Sequence, residues 1–182
     1  FLWDLYKKAH TPYSWHYHAF RLARKLNIIL FSSPFSKKGV DLLEKFKVPI
    51  YKIASFEITD YQLIDYIAQK RKPIILSTGM ASDNEIKQAI KIIKKYHKNI
   101  IVLHCVSSYP TPEAEANVNT ILKLKKNCKG LPIGISDHTN DINSSLASIP
   151  LGSVLIEKHF KIYKNLKSPD SEFSITPDQL QE

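Results

Sequence analysis

Two histidines, His138 in PIGISDHT and His159 in SVLIEKHF, each sit where an apolar run turns polar. If both runs are neighbouring strands, the imidazoles stand at matching places at one end of a sheet. Paired imidazoles with oxygens nearby suit a divalent metal such as manganese, zinc or iron, with an open coordination position for chemistry. The alternative is that both rings bond backbone carbonyls. Asp137 and Glu157 each neighbour a ligand candidate, but alternation along a strand turns neighbours to opposite sides. Either orients a histidine from behind or caps the next helix.

A second group points to an anion. Lys52 lies inside the apolar run PIYKIAS, and a lysine there is costly to bury unless paired. Ser55, Ser77, Ser107 and Ser136 close apolar runs where helical segments begin. Hydroxyls, backbone amides and helix amino termini together make a phosphate or carboxylate site. Each serine alone reads as a helix cap. Four at equivalent ends with one inward lysine point to a phosphorylated ligand. His104 alternates in phase with apolar positions and reads as packed or hydrogen-bonded.

The elements that must position these groups repeat. Apolar runs recur at 27–33, 49–55, 73–79, 99–108, 132–138 and 153–160, separated by segments with helical spacing of apolar residues. Near-continuous apolar strands alternating with helices predict a parallel sheet covered on both faces. An open doubly wound sheet gathers ligand groups at one switch point. Here every run ends in polar residues, a ring of groups that an α/β barrel of eight strand-helix units, the (β/α)8 or TIM barrel, supplies at the carboxyl ends of its strands. Six units do not close such a barrel, and the first residue is Phe1, so two leading strands are expected before it. Residues 1–182 are then one partial barrel domain.

Composition narrows the classes of function. Lys plus Arg number 26 against 17 Asp plus Glu, but the lysines are scattered over helical segments such as EIKQAIKIIKKYHK. That reads as solvated faces, whereas nucleic acid calls for a gathered basic patch with interleaved aromatics. The net charge of +9 favours small anionic substrates. No apolar run nears the roughly 20 residues of a membrane helix. Cys105 and Cys128 are too few and too separated for a disulfide framework, so free thiols and a cytoplasmic location are expected.

Taken in order, YKIASFEITDY, ILSTGMAS, LHCVSSYPTP, GISDHT and LIEKHF resemble the sialic acid synthase family over essentially the whole chain. The resemblance implies condensation of phosphoenolpyruvate with an N-acetylated amino sugar to a nonulosonic acid and phosphate, in a barrel site that uses a divalent metal, with manganese or magnesium expected. KIASFEITDYQLI and FSSPF look more like the pseudaminic acid synthase branch, which implies 2,4-diacetamido-2,4,6-trideoxy-L-altrose as acceptor. N-acetylneuraminate and legionaminate synthases, which tend to carry a GSGE-type stretch where this chain has ASFE, are the alternative.

Matched motif by motif, the resemblance gives Lys52 and Ser55 of YKIAS to phosphoenolpyruvate, with Ser33 of FSSPF, Ser77, Ser107 and Ser136 completing the cradle. His138 and His159 match the metal ligands. Tyr109 of SSYP and Asp170 of SPD match positions that meet the acceptor, and Glu157 is expected close to them. Ser168 stands where the family commonly has glycine, which bears on the loop holding Asp170. The family's amino-terminal strands, with a catalytic glutamate and a phosphate-binding lysine, and its carboxyl-terminal antifreeze-like domain, which reaches across a homodimer, have no counterpart in these residues. The chain alone is expected to be inactive. A rival of another class is a non-catalytic sugar- or anion-binding barrel fragment.

Overall fold

A computed structural model describes residues 2–181. Two helices, α1 (Leu2–Ala9) and α2 (Tyr13–Lys25), lead into α3 (Lys37–Lys45), after which strand and helix alternate. The order is β1 (Tyr51–Ile53), α4 (Tyr61–Ala68), β2 (Ile74–Ser77), α5 (Asp83–Lys94), β3 (Ile100–Cys105), α6 (Thr120–Asn127), β4 (Ile133–Asp137), α7 (Asn143–Ser148) and β5 (Ile156–Lys158), with α8 (Pro177–Gln181) at the end. All five strands are parallel and pair in chain order, forming half of an α/β barrel. Among the described residues no helix is long and apolar enough to cross a membrane.

Local sequence explains where the helices start. The Ser82 hydroxyl accepts from the Glu85 amide at 3.3 Å while the Glu85 carboxylate accepts from the Ser82 amide at 2.7 Å, a reciprocal cap at the head of α5. Ile86, Ala89, Ile90 and Ile93 then recur on one face and are buried. Asp60 caps α4 through the Leu63 amide at 2.9 Å, and Leu63, Ile64, Ile67 and Ala68 form its buried face. These faces pack on Tyr51, Ile53, Ile74, Leu76, Ile100, Val102, Ile133 and Ile135 of the sheet. Full burial of each large apolar side chain stabilises the fold by about 1.5–3 kcal/mol.

Alternation then fixes what faces the other way. If those positions meet the helices, Lys52, Ile75, Ser77, Leu103, Cys105, Gly134, Ser136 and Glu157 turn to the concave face. Gly134 has no room for a side chain there, since a Cβ would lie 2.4 Å from the Leu155 carbonyl and 2.7 Å from Leu103.

The sequence predicts six strands and the sheet has five. The run 27–33 contributes only an isolated bridge between Ser32 and Tyr51, with the Lys52 amide 3.5 Å from the Ser32 carbonyl. Ile28 and Ile29 are 59% and 68% exposed at this edge, so the burial that drives pairing elsewhere in the sheet is missing here.

Candidate active site

Lys52 is the centre of the candidate anion-binding group. Its Nζ donates to Ser77 Oγ at 2.9 Å and lies 3.4 Å from Glu157 Oε1. That same oxygen accepts from Ser136 Oγ at 2.6 Å, because the β4–β5 register sets Ser136 beside Glu157. A cation from β1 and a carboxylate from β5 thus meet across the concave face. Beside them the Gly79 amide donates to Ser55 Oγ at 3.1 Å. A Cβ on Gly79 would stand 2.2 Å from Ser107 Oγ, 2.9 Å from Ser55 Oγ and 3.2 Å from Cys105 Sγ, so these three groups pack directly over the glycine. None of the four serines caps an α-helix through its side chain; that task falls to Ser36, Asp60 and Ser82. Ser33 lies one residue past the Ser32 bridge, and among the described residues no hydrogen bond joins it to the cradle.

The imidazoles of His138 and His159 lie close together, with ring centroids 5.3 Å apart. His138 Nδ1 is 2.9 Å from the Val106 carbonyl and 3.9 Å from Cys105 Sγ. A carbonyl only accepts, so Nδ1 is the donor, and in the neutral ring Nε2 keeps its lone pair. The Thr111 amide donates to the His138 carbonyl at 2.9 Å, and Thr111 Oγ1 donates to the Ser108 carbonyl at 2.8 Å. These bonds hold the loop carrying Tyr109, whose ring centre is 4.3 Å from His138 and 6.5 Å from His159. His159 Nδ1 faces Asp170 Oδ2 at 3.4 Å, and Phe173 packs against the ring at 4.7 Å.

Burial and local hydrogen bonds compete to set protonation in this site. Burial wins at His159, which it lowers despite the opposing Asp170 charge, and this favours a neutral ring. For His138 burial also pushes downward, but hydrogen bonds to Cys105 and Val106 outweigh it and the net direction is up. Burial pushes the Cys105 thiol up, yet bonds to His138 and Ser55 carry it below its ordinary value. Tyr109 is pushed up to about 12, chiefly by burial, so its phenol stays a proton donor. His104 belongs elsewhere: its Nε2 bonds the Ala116 carbonyl at 2.7 Å, and by register it sits on the helix-facing side of β3.

Residues 1–182 match the NeuB family from end to end. The chain belongs to that family. A pseudaminic acid synthase of Helicobacter pylori is 45% identical over 175 residues, covering 96% of this chain and 51% of its own length. An N,N'-diacetyllegionaminic acid synthase of Campylobacter jejuni is 42% identical over 180 residues, covering 97% and 52%. Among solved structures, the N-acetylneuraminic acid synthetase of Leptospira borgpetersenii in complex with citrate superposes with a TM-score of 0.93 at 37% identity, covering 97% of this chain and 62% of that one. The chain spans about half the length of the curated relatives it matches.

Three residues of this NeuB-family chain matter more than the sequence suggests. Gly79 was visible only as part of LSTG, and Cys105 only as a free thiol within LHCVSS. Glu57, in the 3-10 turn Ser55–Glu57, has its Oε2 buried with no hydrogen-bond partner. Burial raises that carboxyl above its ordinary value, against the pull of its own amide and of Lys52. In their neutral forms Nε2 of His138 and the His159 ring are the nitrogens that could take a cation. Among the described residues no group of three or more His, Cys, Asp or Glu could hold a metal.

Proposed function

We propose that the protein carrying this chain condenses phosphoenolpyruvate with an N-acetylated amino sugar, releasing phosphate and forming a nonulosonic acid. The observation that carries this reading is the juxtaposition of buried Lys52, with its Ser77 and Glu157 contacts, and the His138–His159 pair on one face of the half-barrel. Phosphoenolpyruvate brings a phosphate and a carboxylate, and Lys52, the hydroxyls of Ser55, Ser77, Ser107 and Ser136, and Ser33 at the same end of the sheet supply the matching charge and donors. The citrate held by the Leptospira relative, a polycarboxylate, is consistent with that preference.

The acceptor proposed is 2,4-diacetamido-2,4,6-trideoxy-L-altrose, giving pseudaminic acid. The stretch ASFE at 54–57 and the 45% identity to the Helicobacter synthase favour it. The 42% identity to a legionaminic acid synthase keeps the related diacetamido acceptor as the second reading.

In this account the methylene carbon of phosphoenolpyruvate forms a bond to the aldehyde carbon of the open-chain sugar. Water adds at the adjacent carbon, and the phosphate leaves with its bridging oxygen. A divalent cation, manganese or magnesium, held by His138 and His159 would supply Lewis-acid polarisation of the aldehyde. Lys52 and the serines offset the charge on phosphate and carboxylate. Glu57, whose carboxyl is pushed toward its protonated form, is suited to exchange a proton at this end of the sheet. Tyr109 and Asp170, on the two loops that flank the imidazoles, would orient the sugar.

The test is product analysis. The full-length protein, incubated with Mn2+, phosphoenolpyruvate and each diacetamido sugar, is expected to release phosphate and a nine-carbon acid by mass spectrometry. Release of phosphate with no new carbon skeleton, or no turnover with any N-acetylated sugar, contradicts the proposal.

A further inference from the structure

We infer that Asp137 and Lys158 form a buried clamp that sets the separation of the His138 and His159 rings. They are thereby positioning residues for the cation those rings are proposed to hold, and the inference rests on that reading. The β4–β5 ladder ends at the pair Asp137 and Lys158. Both histidines lie one residue beyond it, where no ladder bond joins the strands. By alternation, Asp137 and Lys158 point away from the concave face, so they act on the rings through the backbone and not by contact.

Lys158 is placed to do this. Its Nζ is 3.1 Å from Asp137 Oδ2 and donates to the Thr139 carbonyl at 2.6 Å. One ammonium therefore grips the residue before His138 and the residue after it. Asp137 closes the loop from its own side: Oδ1 accepts from the Thr139 amide at 2.8 Å and from its hydroxyl at 2.7 Å, while Oδ2 accepts from Ser145 Oγ of α7 at 2.6 Å. The Lys158 and Asp137 side chains are only 7% and 1% exposed.

His138 is already tied to the β3 side through Val106 and Thr111. Beyond the last rung, Lys158 is the hydrogen-bonding link from β5 to β4 among the described residues. A buried ion pair is a weak device for stability, since apolar replacements often match it, but it is directional and fixes register. That contrast separates the clamp from a merely structural role.

The experiment measures Mn2+ binding to the full-length protein by electron paramagnetic resonance of the free ion, with far-UV circular dichroism and melting curves on the same samples. Lys158→Met and the double variant D137N/K158M are compared with the parent. The clamp predicts a roughly tenfold or greater loss of Mn2+ affinity in variants that keep the parent spectrum. Affinity within about twofold of the parent, whatever the melting temperature, overturns it. Should Lys158→Met fail to fold, Ser145→Ala, which removes one bond to Asp137 and leaves the ion pair, is expected to lose about fivefold, the worth of one hydrogen bond, and no loss counts against the clamp. His138→Ala, measured in parallel, isolates the underlying reading: unchanged Mn2+ binding there removes the cation from these rings. In that event the crystal structure of the folded variant decides, because the clamp requires the ring centroids to move from 5.3 Å and an unchanged separation refutes it.

Discussion

At the scale of single residues, the cradle depends as much on a missing side chain as on those present. Gly79 lets Ser55, Ser107 and Cys105 approach one another over its backbone, where a methyl group would come within 2.2 Å of the Ser107 hydroxyl. Gly79→Ala is therefore expected to displace these hydroxyls at a cost of about 1–3 kcal/mol in stability. Phosphoenolpyruvate affinity should fall by about tenfold or more, the value of one or two charge-assisted hydrogen bonds. Isothermal titration checks this, and an unchanged affinity would remove Ser55 and Ser107 from the anion site. Lys52, His138 and His159 were legible in the sequence because each places a costly polar group at the end or inside of an apolar run. Gly79 and Cys105 were not, because a glycine after a strand and a cysteine in an apolar phase fit a plain core equally well. Glu57 was hidden for another reason: its significance lies in an oxygen left without a partner, which only the packed fold reveals.

At the scale of elements, apolar spacing predicted the helices α2 to α7 within a few residues, since α2 to α6 place apolar side chains in the core and α7 buries Ser144, Ser145 and Ser148. The run 27–33 failed as a strand because periodicity records what a segment could bury and not whether a neighbour covers it. The end of α5 carries a testable cost of its own. Both ring nitrogens of His97 are buried without a hydrogen-bond partner, and burial, with the Arg71 charge adding to it, lowers the ring below its ordinary 6.5. The unfolded chain thus takes up the proton first as pH falls. Stability present above about pH 6.5 is lost as pH drops from there toward the folded-state value. Burial shifts His104 in the same direction. Melting temperature is expected to fall between about pH 7.5 and 5.5, and His97→Leu should show a smaller fall. An identical pH dependence in parent and variant would contradict this assignment.

At the scale of the whole molecule, the half-barrel turns five strand ends toward one concave face, which is how Lys52 of β1 meets Glu157 of β5. The same geometry leaves apolar side chains at both edges, Ile28 and Ile29 at one and Val154, Ile156 and Phe160 at the other. Edge strands of this kind template association. The isolated chain is expected to self-associate with rising concentration in sedimentation velocity, and a monodisperse monomer throughout would contradict that. The central claim is that His138 and His159 converge on a cation beside the Lys52 cradle. Its most direct test is anomalous diffraction from crystals of the full-length protein soaked with Mn2+ and phosphoenolpyruvate. One anomalous peak is expected within about 2 Å of a ring nitrogen of each histidine, with the phosphate or carboxylate on Lys52. A peak elsewhere, or none between the rings while the anion is bound, would contradict it.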